Sequence, residues 1–441
     1  MALRDQSSQY LRFCGRANPL NRVVVTGMGI VAPNAVGLEA YRRALCEGKS
    51  GITFSTQMKE SGFGCHVAGI PDISEQVANG YFNDELRKNT NSSMKYAVIA
   101  SVDCWRDAGF SGPQADSPVD WQTAAVIGTS LGGIDTIGEF VVPETNSGRV
   151  RRLGSSAAER AMSSCASACV GGLLGLGGQV TTNSSACSTG TEAIANAFWM
   201  IRERRVDRVL AGSSEAPSIY LWAFLDSLRV MTRNSNDQPK AASRPLSRTA
   251  AGFVPAGGAG ILMLESLESA HARKARIYAE ILGGHSNCGG QRNGGSITAS
   301  NPEGIQRCVG EALEAAKTKP SSIDYINGHL TGTGGDAKEV RCLSAALGRA
   351  LHDMPCINAT KSMIGHGLGA SGSMECVATV LQLMHGFLHP SLNCEDLHPE
   401  ISELHPKVPQ TGVAFKCDVA LKTSFGFGDV NSCVVFRRWQ E

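Results

Sequence analysis

The chain has 441 residues, 42% hydrophobic and 18% charged, with a formal net charge of +1. That length exceeds one small core and points to two or three domains or one duplicated unit, and the composition excludes a disordered chain. A near-zero charge gives no general field for nucleic acid or a membrane surface, and no run reaches the ~18–20 apolar residues that span a bilayer.

Residues 1–20, MALRDQSSQYLRFCGRANPL, lack the apolar stretch of a secretory signal and read as a flexible N-terminal extension; a transit peptide is the weaker alternative. RVVVTGMGIVAP, 22–33, reads as a buried strand entering a glycine turn. Ala32 stands where a dinucleotide fingerprint needs its third glycine, so that reading fails. LEAYRRALCEGKSG, 38–51, is an amphipathic helix closed by glycines, and 94–110 is a second helix. TAAVIGTSLGG, 123–133, is a strand running into a glycine loop, and VDRVLAGSSEA, 206–216, is another strand. The order then resumes: strand 276–287, helix 302–317, strand into loop 323–336, strand, loop and long helix 356–386, and two strands around a glycine turn, 419–438. Alternating strands and helices predict α/β layers with mainly parallel sheets, and the similar order in both halves predicts a pseudo-duplicated fold.

TTNSSACSTGTEA, 181–193, sets Cys187 among the smallest side chains, where the helix-like run IANAFWMIRERR begins. An apolar packing role favours larger neighbours. A nucleophile needs room for substrate, and a helix N-terminus favours the thiolate, so this position predicts a lowered thiol pKa. The other thiols of the 15 cysteines form no CxxC pair, which argues against a zinc ribbon or a thioredoxin-type site. Scattered thiols point to a reducing cytoplasm, and no metal is expected.

Later segments supply partners for Cys187. His329 ends a strand in NGHLTGTGGD, Lys361 and His366 flank a loop in NATKSMIGHGLGASG, and SFGFGDVN is a glycine turn between strands. In order and character, VVVTGMGIVAPNA, NSSACSTG, GHLTGTGGD, KSMIGHGLGASG and SFGFGDVN resemble the β-ketoacyl-[acyl-carrier-protein] synthases, the elongating condensing enzymes of type II fatty acid and polyketide synthesis. The resemblance runs from about Arg22 to Arg438. It implies the thiolase fold, two βαβαβαββ halves in α-β-α-β-α layers: residues 21–275 carry the nucleophile and 276–441 the two histidines and the lysine.

By the same resemblance, Cys187 takes the acyl group from an acyl carrier protein. His329 and His366 stabilise the enolate left by decarboxylation of the malonyl thioester. The backbone N–H groups of Cys187 and Phe427 form an oxyanion hole, with Gly426 and Gly428 letting the backbone approach. Lys361 acts through electrostatics with Glu375 as partner. Thr331 and Thr333 match positions that bind the pantetheine arm. Leu131 matches a tunnel position whose large residue resembles class II rather than class I enzymes. No cofactor is implied beyond the carrier's phosphopantetheine arm. The partners implied are the acidic carrier protein and a second subunit, as a homodimer or as the catalytic half of a heterodimer. Arg204 and Arg205 in RERRVDR, with Arg87, Lys88 and Lys95, are candidates for carrier docking.

The chain departs from the family where RPFDxxRDGFVxGEGAG reads RPLSRTAAGFVPAGGAG, 244–260, with the acids replaced at Ser247, Ala251 and Gly258. Leu330 and Asp429 stand where glycine is common. These departures point to a specialised polyketide or aryl polyene pathway. A degradative thiolase would need a second cysteine as base in the late loop, and a non-catalytic chain-length partner would lack the nucleophile.

Overall fold

The computed structural model describes residues 20–112 and 117–440. The first nineteen residues of the expected N-terminal extension lie outside the described residues. In chain order the main strands of the large sheet are β1 Val23–Ala32, β2 Thr123–Gly128, β3 Val180–Thr181, β4 Arg208–Glu215 and β5 Gly258–Ser266. They continue with β6 Ala279–Cys288, β7 Tyr325–Asn327, β8 Cys356–Asn358, β9 Val419–Gly426 and β10 Val430–Arg438. The helices that matter here are α1 Leu38–Glu47, α2 Ser92–Asp107, α3 Cys165–Leu174, α4 Thr189–Arg202, α5 Ile219–Ser227, α6 Pro302–Ala315, α7 Asp336–Leu347 and α8 Ser371–His385. None of the described helices is long and apolar enough to cross a membrane.

The strands join in one ladder, β8-β7-β9-β10-β6-β1-β5-β4-β2-β3. Outward from the β1–β6 junction, each half repeats the same order: its first strand, then its fifth, fourth, second and third. The expectation of mainly parallel sheets holds only at the two ends. β4, β2 and β3 pair in parallel, as do β9, β7 and β8, whereas every pairing from β4 through β1 and β6 to β9 is antiparallel. The cause is connection. Strands joined through a helix can lie parallel, and β9 and β10, joined by the short turn at 427–429, cannot.

α4 and α8 pack on each other and on strands of both halves, while α2 and α3 cover the first half outside and α6 and α7 cover the second. This gives the α-β-α-β-α layering. The inner layer has an apolar core, with Ile194, Phe198 and Ile201 of α4 and Val377, Val380 and Leu381 of α8 packed against Val25, Val209, Leu262 and Val434. Burial of such side chains contributes on the order of 1.5–3 kcal/mol each. Glycines set the spacing of the two helices. A Cβ on Gly190 would stand 2.5 Å from the Ser373 nitrogen, and one on Gly372 would stand 2.6 Å from the Thr191 nitrogen. The N-terminal ends of α4 and α8 therefore meet, and both point at one place.

Candidate active site

At that place Cys187 precedes α4. Ala186 adopts φ 48, a left-handed conformation costly for a residue with a Cβ. The turn is held by Ser185, whose N–H donates to Thr189 Oγ1 at 2.8 Å, and by Ser188, whose N–H donates to the Ser185 carbonyl at 3.0 Å. Cys187 is buried, at 8% exposure. Burial pushes its thiol up to about 11, against the pull of Lys361 and of the backbone N–H groups of Phe427 and Cys187 itself. The expected lowering by the helix N-terminus is thus overturned, because desolvation of the thiolate outweighs the local field. The thiol needs a proton acceptor.

Two imidazoles stand beside it. Cys187 Sγ and one ring nitrogen from each of His329 and His366 all lie within 4.8 Å of one another. The two imidazoles meet edge to face, 5.5 Å between centroids. Burial, then the charge of Lys361, drives both well below the ordinary histidine range, so both are neutral. The tautomer of His366 follows from its partners. The Leu368 N–H donates to Nδ1 at 3.1 Å, so Nδ1 carries no proton and Nε2–H is the donor. Ser371 Oγ lies 2.8 Å from the same Nδ1. His329 is fixed by its backbone: its N–H donates to Glu339 Oε1 at 2.7 Å, and its carbonyl accepts from Lys361 Nζ at 2.6 Å. Burial pushes Glu339 up to about 7.

A cavity of about 540 Å³ opens above these groups. Its lining joins apolar Leu221, Phe224, Leu225 and Leu368 to polar Thr298, Ser300, Thr331 and Thr333. The Thr331 and Thr333 hydroxyls lie 3.0 Å apart. Leu131 and Phe427 line the cavity as expected, and Leu131 is 39% exposed. Gly426 lines it too, and a Cβ there would stand 2.8 Å from the Ser185 carbonyl oxygen and 3.1 Å from the Cys187 nitrogen, so the missing side chain lets the β9–β10 turn lie over Cys187.

The remaining candidates stand away from the cavity. Lys361 and Glu375 do not line the cavity; both are buried behind His329, joined by a 2.6 Å ion pair. Gly428 also stands off the cavity, where its φ of 88 closes the turn. Arg204, Arg205, Lys88 and Lys95 do not line it either. Arg204 and Arg205 follow the far end of α4, about 20 Å from Cys187 at 1.5 Å per residue. Cations gather at a helix C-terminus for electrostatic reasons unrelated to the cavity. The cation that lines the cavity is Lys338, whose Nζ donates to the Ser300 carbonyl at 2.9 Å.

Besides Lys338, two buried charged groups escaped the sequence reading. Glu215, the last residue of β4, is fully buried and accepts from Thr129 Oγ1 at 3.1 Å and from the N–H groups of Ser130 at 2.8 Å and Gly369 at 3.1 Å. It ties the Leu131 turn to the His366 loop. Lys422 is the other, a fully buried lysine within VALKTSFG, 3.0 Å from Glu375 Oε2. In each case the signal was a charge inside or at the end of an apolar strand.

The departures from the family pattern have local explanations. Leu330 (φ 31) and Asp429 (φ 63) both occupy left-handed positions. Leu330 packs into the second-half core, and the Asp429 carboxylate accepts the N–H groups of Gln291 and Asn301, each at 2.8 Å. The acid missing at Ser247 returns from elsewhere: Asp396 accepts the Ser247 hydroxyl at 2.5 Å and pairs with Arg244 at 3.1 Å. With GFV and GAG in register, the third missing acid falls on Gly257 rather than Gly258. Cys433, the remaining thiolase candidate, lies buried in β10, 3.5 Å from Cys308 and off the cavity.

Comparison with known proteins gives the same direction. Residues 20–270 match the beta-ketoacyl synthase N-terminal domain and residues 278–395 its C-terminal domain. The chain is 34% identical to 3-oxoacyl-[acyl-carrier-protein] synthase I, chloroplastic, of Arabidopsis thaliana, over 95% of this chain and 87% of that protein. It is also 34% identical to the putative polyketide beta-ketoacyl synthase 1 of Streptomyces cyaneus, over 94% and 97%. Among solved structures, the ishigamide ketosynthase/chain length factor superposes with a TM-score of 0.85 at 28% identity, over 96% of this chain and 100% of that one. A type II polyketide synthase acyl carrier protein in complex with its ketosynthase, AntDE:AntF, gives 0.84 at 30%, over the same shares.

Proposed function

The chain belongs to the beta-ketoacyl synthase family, and on that premise we propose that Cys187, His329 and His366 perform the family's condensation in it. The enzyme is an acyltransferase-class condensing enzyme of fatty acid or polyketide synthesis. The observation that carries the residue assignment is the meeting of one thiol and two neutral imidazoles within 4.8 Å at the floor of the cavity.

The chemistry follows from the geometry. The Cys187 thiol gives its proton to a neighbouring imidazole as sulfur attacks the acyl thioester of the carrier protein. The carrier's thiol leaves with that proton, and the acyl group stays on Cys187. Malonyl carrier protein enters next, and the bond to its carboxylate breaks, releasing carbon dioxide. The electron pair passes into an enolate whose oxygen accepts from His366 Nε2–H and from the His329 ring. Carbon two then attacks the acyl-Cys187 carbonyl. The new oxyanion is met by the N–H groups of Cys187 and Phe427, and collapse expels the thiolate and yields 3-oxoacyl carrier protein. Lys361 and Glu375 position His329 from behind rather than touching substrate. Thr331 and Thr333 receive the pantetheine arm, and no further cofactor takes part.

The carrier protein docks at the cavity mouth beside Lys338, and the reaction takes place in the cytoplasm, consistent with cysteines that are all free among the described residues. A second ketosynthase-like chain completes the assembly, a reading supported by the likeness to the ishigamide ketosynthase/chain length factor. Whether that chain is identical or a chain-length partner, Cys187 with both histidines makes this chain the catalytic one. Leu131 supports a class II-like acyl entry, and the departures at Leu330, Ser247 and Asp429 support a specialised polyketide role.

Intact-protein mass after incubation with acyl carrier protein tests the assignment. The wild type is expected to gain the acyl mass and lose it on addition of malonyl carrier protein, while Cys187→Ala gains nothing. A wild type that stays unacylated at every chain length would sink Cys187 as nucleophile.

A further inference from the structure

Lys422 is the buried group that the mechanism above leaves without a task. It sits mid-strand in β9 at 0% exposure, where its neighbours Leu421 and Thr423 are equally buried. A buried ammonium is costly unless paired, so its pairing is informative. Its Nζ lies 3.0 Å from Glu375 Oε2, an ion contact without hydrogen-bond alignment. It also donates to the Thr423 carbonyl, by a very short contact, and to Ser424 Oγ at 3.2 Å. Glu375 Oε1 is already taken by Lys361 at 2.6 Å. One carboxylate therefore serves two ammonium groups. A single lysine would have neutralised it.

We propose that Lys422 is a positioning residue for the condensation: it holds the second oxygen of Glu375 and leaves the buried Lys361–Glu375–Lys422 cluster with a net positive charge behind His329 and His366. This inference rests on the site assignment above. The cluster connects to both sides of the site. Lys361 holds the His329 carbonyl, and Ser424 Oγ, which receives Lys422, lies 2.8 Å from Thr191 Oγ1 in the first turn of α4. An uncompensated positive charge in a dry interior disfavours imidazolium and favours any anion formed in front of it. In agreement, Lys422 is among the causes that hold both histidines low. Other ionisable groups face this region. Glu339 and Asp336 lie behind the His329 loop, Glu215 lies on the Cys187 side, Cys376 and Cys433 border Lys422, and His389, Tyr41 and Tyr325 lie near Glu375. Of these, neither Glu339 nor Glu215 forms an ion pair with Lys422, whose carboxylate contact is Glu375; Glu339 acts on Lys361 instead, and burial pushes it up to about 7, which weakens it as a counter-charge.

The test is the pH profile of condensation at saturating acyl and malonyl carrier protein for the wild type, Lys422→Met and the double variant Lys422→Met/Glu375→Gln. Neutral imidazoles are the working form, so the rate falls as pH drops through their titration. Removing a nearby positive charge raises that titration. Lys422→Met is expected to move the acid limb up by about one pH unit, read as about a tenfold loss on that limb and little loss on the alkaline side. The double variant leaves Lys361 alone, restores the net charge, and is expected to return the limb toward the wild type. An unmoved limb in Lys422→Met overturns the inference, as does a rate lowered equally at every pH, which a merely structural lysine would produce. A double variant as acid-sensitive as the single one overturns it as well. If Lys422→Met does not fold, Glu375→Gln, with two positive charges, must move the limb to lower pH, and no movement counts against the inference. Acylation of Cys187 is read by mass in each protein. A wild type that takes no acyl group sinks the site assignment itself, whereas acylation with an unmoved limb sinks only the role of Lys422.

Discussion

The two halves share one strand order but carry different chemistry at equivalent places. The helix between the third and fourth strands is α4 in the first half and α8 in the second, and their N-terminal ends bring in Cys187 and His366. The loop after the second strand holds Leu131 in the first half and His329 in the second. The end of the fourth strand gives Glu215 on one side and the Gly426–Phe427 turn on the other. The anchoring differs most. In the first half a lone buried carboxylate, Glu215, is satisfied by neutral N–H and O–H donors and fixes a wall. In the second half two lysines share Glu375. Duplication thus provides two frames that meet; on the proposed mechanism one holds the acyl chain and the other the developing anion.

Breaking the meeting point has the largest effect. Cys187→Ala is expected to abolish acylation and lower condensation by at least about 10³-fold, read by mass and product assay. His366→Ala removes an enolate donor and is expected to lower condensation about 10²–10³-fold while Cys187 still accepts the acyl group. Retained condensation there would dissolve the division between the halves.

The first-half anchor comes next. Glu215→Gln replaces an acceptor of several donors and is expected to cost about 1–3 kcal/mol, seen in the unfolding midpoint. It should also disturb chain-length preference, because the same carboxylate holds the Leu131 turn. Leu131→Gly is expected to shift that preference severalfold with little change in stability. The smallest effect sharpens the surface comparison: Lys338→Ala should raise KM for carrier protein severalfold, while Arg204→Ala and Arg205→Ala leave it within experimental error and change stability by about 0.5 kcal/mol at most.

Much of this was legible in the chain alone. Apolar runs marked the buried strands, glycines and small residues marked Cys187 as a site rather than packing, and the order of the blocks carried the family and the two histidines. Periodicity and turn chemistry act over a few residues, and those signals are local. What the sequence could not give was pairing across hundreds of residues. The antiparallel centre depends on which strands meet. The placement of Lys361 and Glu375 behind His329 depends on which side of the loop is dry. How far the docking candidate Arg204 lies from Cys187 depends on the length and direction of α4. Asp396 replaced an acid missing at Ser247 from a different segment. Above all, the thiol pKa was set by burial, which exists only once both halves close over Cys187. The sequence supplied the chemical groups and the local turns that present them. Desolvation and long-range charge, which need the assembled interior, decided how those groups are tuned.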